Sequence, residues 1–236
     1  EAINQLKEET RISLQLLHRH IVRFYNLEKR QNQFLIIMEY VPGVSLHKYM
    51  AQMPQGLVPL DLVLQIVGVM ADALGYAHRK GVLHKDITPS NVLISEDGVL
   101  KLIDFGIADL MNRQRVIPDY VIGTPVYMSP EQLRGDELDA RTDVYSLGVL
   151  THQMMSGRLP NAPDPTVETL AFMPHPPLVG FPPRVGKVLE WALAFETAGR
   201  CPTVRDFNIN FREACRQDYG AAIAPPEARA DEPDGV

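Results

Sequence analysis

His84-Lys85-Asp86-Ile87-Thr88-Pro89-Ser90-Asn91, followed by Val92-Leu93-Ile94 and then by Ile103-Asp104-Phe105-Gly106, decides how the rest of the chain is read. Two carboxylates and a carboxamide sit on short polar turns between apolar runs. Asp86 and Asn91 share one loop. Asp104 ends the next hairpin, whose Glu96-Asp97-Gly98 turn is a strong hairpin signal. Such a trio can hold a base and one or two divalent cations around a phosphate chain. An isolated Asp and Asn are more often turn formers, so the flanking sequence has to choose between these readings.

The chain has 236 residues, 45% of them apolar, enough for one large domain or two small lobes. A net charge of -6 argues against a nucleic-acid surface. Cys201 and Cys215 show no metal spacing, and two lone thiols fit a reducing compartment, so a cytoplasmic location is expected. The most apolar stretch, Leu57 to Ala73, is interrupted by Pro59, Asp61, Gln65 and Gly68, which predicts a buried helix rather than a membrane span. Glu1 lies inside a helical pattern without an initiator Met, so a piece of a longer protein is expected, with any anchor outside this chain.

Outward from the central stretch, Ile3, Leu6, Ile12, Leu16 and Leu17 recur at helical spacing over Glu1 to Leu17. Val22 to Leu27 and Phe34 to Tyr40 read as two strands of a hairpin. Ser45 is placed to cap a short helix through Met50, and Asp61 to cap a long one that stops near Lys80-Gly81. After the central stretch, Gly106 to Pro130 reads as a long ordered loop. Asp143 to Ser156 reads as a second buried helix. Pro160 to Pro183 holds eight prolines and should be mostly irregular. Val185 to Phe195 and Val204 to Arg216 are amphipathic, and the Ala, Pro and acidic residues after Asp218 predict a disordered tail. Strands first and helices after predict an α+β protein with segregated lobes.

Several separated motifs, in order, resemble the protein kinases, specifically bacterial Ser/Thr kinases of the eukaryotic-like (Hanks) type. The resemblance runs from Glu1 to about Arg216 and implies a two-lobed fold: a partial N-lobe over 1–40, a helical C-lobe over 41–217 and a tail over 218–236. It implies that Asp86 is the base for the attacking hydroxyl, that Asn91 and Asp104 hold Mg²⁺, and that ATP is the phosphoryl donor. Met38-Glu39-Tyr40-Val41 looks like the hinge, where the backbone of Glu39 and Val41 would meet adenine, and Leu93 also falls among the cofactor-binding positions. Glu9 matches the helix Glu that normally pairs with an ATP-binding Lys. Gly123-Thr124 and Val126 to Glu131 resemble the end of the activation segment, with Thr124 facing a Ser/Thr substrate. Glu131 would pair with Arg200, and Asp143 would accept backbone N–H bonds from the catalytic loop.

Three departures bear on activity. The Gly-rich loop and the ATP-binding Lys, which normally precede the first helix, are not in this chain. Thr88 stands where the family carries a Lys, which removes a preorganised charge from the γ-phosphate and implies slow transfer. Lys85 replaces an Arg, and Ile107 to Ile122 contains no Ser or Thr, so phosphorylation of that loop on Ser or Thr is not expected to control activity. The resemblance therefore implies a Ser/Thr protein kinase with an unidentified protein substrate. A pseudokinase scaffold is the alternative, and a small-molecule kinase is disfavoured by the Gly123–Glu131 segment.

Overall fold

The computed structural model describes residues 16–30, 33–105, 124–161 and 165–220. Most of the expected first helix, the 106–123 loop and the tail after 220 lie outside the described residues.

β1 (Phe24–Arg30) and β2 (Gln33–Met38) pair antiparallel, with Phe24 opposite Met38, Glu28 opposite Leu35 and Arg30 opposite Gln33. The ladder thus runs further into the polar Lys29–Gln33 stretch than its turn-like composition predicts. β3 (Gly43–Ser45), β4 (Val92–Ser95) and β5 (Leu100–Leu102) form a separate sheet in that order. Gly43 permits this pairing: at φ 154° its absent Cβ would lie 2.1 Å from the Ile94 carbonyl oxygen. The chain before β1 joins this second sheet. Val22 N–H donates to the Leu102 carbonyl (2.8 Å), and Leu102 N–H to that of His20 (2.8 Å).

Helix α1 (Leu46–Gln52) starts where Ser45 Oγ accepts the Lys48 N–H. Helix α2 (Leu60–Arg79) starts at Pro59; Asp61 lies in its first turn and is not the cap. Proline's fixed φ, here −54°, sets the chain for the turn that follows, and the Asp61 charge still faces the positive helix end. α2 is long and apolar enough to cross a membrane. Here it is the core helix, with Val63, Ile66, Val67, Met70 and Leu74 buried. Burial of each such side chain is worth about 1.5–3 kcal/mol.

The capping box Ser129–Gln132 opens the short α3 (Pro130–Arg134). Helix α4 (Ala140–Ser156) begins three residues before the sequence suggests, because the Asp139 carboxylate accepts the Arg141 N–H (2.8 Å) and caps it. Asp143 is thereby moved into its first turn. The proline-rich stretch contains a short helix, α5 (Val167–Phe172), in the proline-free interval after Pro165, capped by Thr166. Helices α6 (Pro183–Ala192) and α7 (Val204–Tyr219) complete the chain. α2 packs against α4, α7 and β5, so the loop between α2 and β4 is fixed at both ends by core elements.

Candidate active site

That loop rests on Asp143. Its carboxylate is fully buried and accepts three bonds: from His84 N–H (2.8 Å), Lys85 N–H (2.9 Å) and His78 Nε2 (2.7 Å). Burial alone would raise the Asp143 carboxyl; the His78 and backbone donors outweigh it and hold the group below the usual aspartate range. Lys85 lies in the left-handed region at φ 67°, which costs a residue with a Cβ roughly 1–2 kcal/mol. The strain sits immediately before Asp86.

Asn91 ties the loop together. Its Nδ2 donates to the Asp86 carbonyl (2.8 Å) and to Asp86 Oδ2 (2.8 Å), and its N–H to the Thr88 carbonyl (3.1 Å). Its own carbonyl accepts Ile103 N–H (3.0 Å), which places Asp104 beside the loop. Asp86 Oδ1 is buried with no protein partner. Thr88 is buried and extended.

Asp104 is also left-handed, at φ 66°. Burial pushes its carboxyl up from the ordinary value; His84 partly opposes this, and the Asp86 charge adds to it. Phe105 is buried with its ring 4.5 Å from that of His84. Burial lowers the His84 pKa, against the pull of Asp143, Asp86 and Asp104, and its Nδ1 accepts the Asp86 N–H (3.3 Å), as a neutral ring can.

Asp104, desolvated and beside the Asp86 charge, is a carboxylate that a bound cation would neutralise. Asp104, and the Asn91 carboxamide oxygen left over once its nitrogen has donated, are hard oxygen ligands of the sort Mg²⁺ takes. Among the described residues no group of three or more His, Cys, Asp or Glu forms a closed metal cage. An ion here would complete its shell with water and phosphate oxygens, as Mg²⁺ commonly does. The donor set fits that metal.

Glu39 follows β2. Its N–H donates to the Arg23 carbonyl (2.8 Å), and its carboxylate accepts from Lys101 Nζ (2.5 Å) and Arg23 N–H (3.1 Å). Its N–H is therefore already engaged, and its carbonyl is the backbone group left to meet a ligand. Glu39 and Val41 line a hollow of about 360 Å³ with Ser95, Asp97 and Lys101; Asp86, Asn91, Leu93 and Asp104 lie outside it. Residues 39–41 and the 84–91 loop are joined instead through β4, where Leu93 pairs with Ser45 on one side and Lys101 on the other. Glu131 and Arg200 meet in a buried two-pronged pair at 2.6 and 3.0 Å. Glu9 and the Thr124 side chain lie outside the described residues; the Thr124 backbone opens a short 3₁₀ turn, Thr124–Tyr127.

Comparison with known proteins bears on this arrangement. Residues 1–173 match the description of the protein kinase domain. The chain belongs to the protein kinase family. Its relatives are bacterial Ser/Thr kinases of the eukaryotic-like type. It is 28% identical to a probable serine/threonine-protein kinase of Clostridium perfringens, over 98% of this chain and 35% of the relative. It is 32% identical to the serine/threonine-protein kinase PknL of Mycobacterium tuberculosis, over 84% of this chain and 51% of the relative. The crystal structure of the Mycobacterium tuberculosis PknI kinase domain superposes with a TM-score of 0.73 at 29% identity, covering 91% of this chain and 79% of that one. The chain spans about a quarter to a half of the length of the curated relatives it matches.

Two residues of this kinase site escape a reading of the sequence. His78 supports Asp143 from the last turn of α2, and Gln132 reaches the catalytic loop from α3. The one available signal for Gln132 is the Ser-x-x-Gln capping box, which explains its carbonyl but not its amide nitrogen.

Proposed function

We propose that the protein is a Mg²⁺-dependent serine/threonine protein kinase that transfers the γ-phosphoryl group of ATP to a protein hydroxyl. The observation that carries this reading is the unpartnered, buried Asp86 Oδ1, held beside Asp104 by Asn91. Asp86 Oδ2 is fixed by the Asn91 amide, which leaves Oδ1 to orient an incoming hydroxyl and take its proton. Asp104 and the Asn91 oxygen would hold Mg²⁺. Bound there, the ion supplies charge neutralisation on the phosphates. The carbonyl of Glu39 and the backbone of Val41 would orient adenine. A cytoplasmic location follows from the need for ATP and agrees with two free, buried thiols.

The test is phosphoryl transfer from radiolabelled ATP to a generic protein acceptor by the intact protein. We expect Mg²⁺-dependent label on Ser or Thr, abolished by chelation. Label that persists with the chelator, or none under any condition, sinks the reading.

Thr88 defines a second measurement. A Lys stem can run along the loop and carry its ammonium to the phosphates. Thr88→Lys should therefore raise kcat by about tenfold or more. A variant no faster than the parent would show that the missing charge is not what limits the rate.

A further inference from the structure

The strained peptide before Asp86 is held from two sides. Asp143 accepts the Lys85 N–H from below (2.9 Å), and Gln132 Nε2 donates to the Lys85 carbonyl (2.8 Å). Gln132 Oε1 meanwhile accepts the Ser129 N–H (3.2 Å), and the Gln132 N–H donates to Ser129 Oγ (3.4 Å). The orientation of the amide is determined: the end facing a carbonyl must be nitrogen, and the end facing an N–H must be oxygen. A carboxylate can make the cap but not the clamp, and an aliphatic chain can make neither. Gln132 also sits on a rigid base. Its neighbour Glu131 is locked to Arg200, and the preceding turn is held by Ser146 Oγ to the Tyr127 carbonyl (2.7 Å) and by Tyr127 OH to Gln153 (2.6 Å).

We propose that Gln132 is a positioning residue for the catalytic base: by fixing the carbonyl of left-handed Lys85 it sets the direction of Asp86 and couples the Thr124–Ser129 segment to the catalytic loop. Loss of the Gln132 donor removes a bond that opposes relaxation of Lys85 toward negative φ, and such a change rotates the following residue. This inference rests on the kinase reading for its consequence in turnover, but the clamp itself does not.

The test uses Gln132→Glu in the intact protein, because Glu keeps the acceptor for Ser129 and loses the donor to Lys85. Two readouts are taken. In the kinase assay, kcat should fall about 10–100-fold, the usual cost of losing a supporting hydrogen bond behind a reacting group, while KM for ATP stays within about twofold. By hydrogen exchange, the His84, Lys85 and Asp86 amides should exchange faster than in the parent. Gln132→Met, which loses both bonds, should match Glu in kcat and melt at a lower temperature. A Glu variant with parental kcat, or with unchanged exchange in the loop, overturns the proposal. If the parent transfers no phosphoryl group but the Glu variant still exchanges faster, the clamp stands and the proposed function falls.

Discussion

Arg200→Met should destabilise the fold by about 3–5 kcal/mol, read from urea unfolding at pH 7. Domains of this kind have roughly 5–15 kcal/mol in total, so the variant stands near the edge of folding. Both partners are buried, Arg200 at 3% and Glu131 at 3% exposure. All five guanidinium N–H groups find acceptors: two on Glu131 (2.6 and 3.0 Å), and one each on the carbonyls of Ala194 (3.0 Å), Arg141 (3.0 Å) and Phe195 (3.2 Å). Its plane also lies over the Tyr145 ring, 4.9 Å from the centroid. Met restores the volume but leaves three carbonyls short of a donor and Glu131 charged without its guanidinium partner, with Thr142 Oγ1 still donating at 2.9 Å. Lys cannot substitute, because one ammonium cannot span that fork of acceptors.

The pH dependence of this loss has a definite sign. Burial would raise the Glu131 carboxyl, but Arg200 and Thr142 hold it below the usual glutamate range. In the parent its contribution is therefore complete above the unfolded value and is lost as pH falls through the lower folded one. In the variant, burial acts unopposed by Arg200 and the folded-state pKa rises, so Glu131 takes a proton as the pH falls and the deficit narrows. A deficit below about 1 kcal/mol at pH 7 would place this pair with ordinary surface contacts.

How much of this was legible in the sequence depends on the range of each interaction. Ser45, Ser129 and Thr203 cap helices that begin at the next residue, and such signals are local. The 84–91 loop and Asp104 are legible because Asp86, Asn91 and Asp104 interrupt apolar runs at turns. The five-residue Asp86–Asn91 spacing becomes one carboxamide spanning a backbone carbonyl and a side-chain oxygen. The type of Asp61 suits either the cap or the first turn, and the dihedrals of Pro59 decide for the first turn. The α5 helix was hidden by the proline density around it. Composition averages over a stretch, whereas helix formation needed only the interval from Thr166 to Phe172. The Lys85 carbonyl bond to Gln132 crosses 47 residues and the His78–Asp143 bond crosses 65, and no local pattern records either.

Asp104→Asn should abolish most turnover, lowering kcat by about 10²–10³-fold, and at the same time make the metal-free protein more stable than the parent. Asn is the informative substitution because it tolerates the left-handed backbone at φ 66°, where Ala is strained as well as uncharged. The gain in stability follows from the electrostatics. Burial, with the Asp86 charge beside it, holds the Asp104 pKa above its unfolded value despite the opposing effect of His84. An acid raised in this way weakens the fold above its folded pKa, and the penalty disappears as the pH falls below the unfolded one. The variant's advantage should be full above the folded pKa of Asp104 and vanish in acid. Mg²⁺ separates the two proteins again. Added ion binds the folded parent and raises its melting temperature by mass action, while the Asn variant, whose carboxylate ligand is now a neutral amide, responds weakly. A residue that only supported the fold would lose stability together with activity. Opposite signs in the two measurements mark a group retained for the charge it presents to a ligand. A less stable Asn variant, or one whose melting temperature climbs with Mg²⁺ as steeply as the parent's, would remove Asp104 from the metal site.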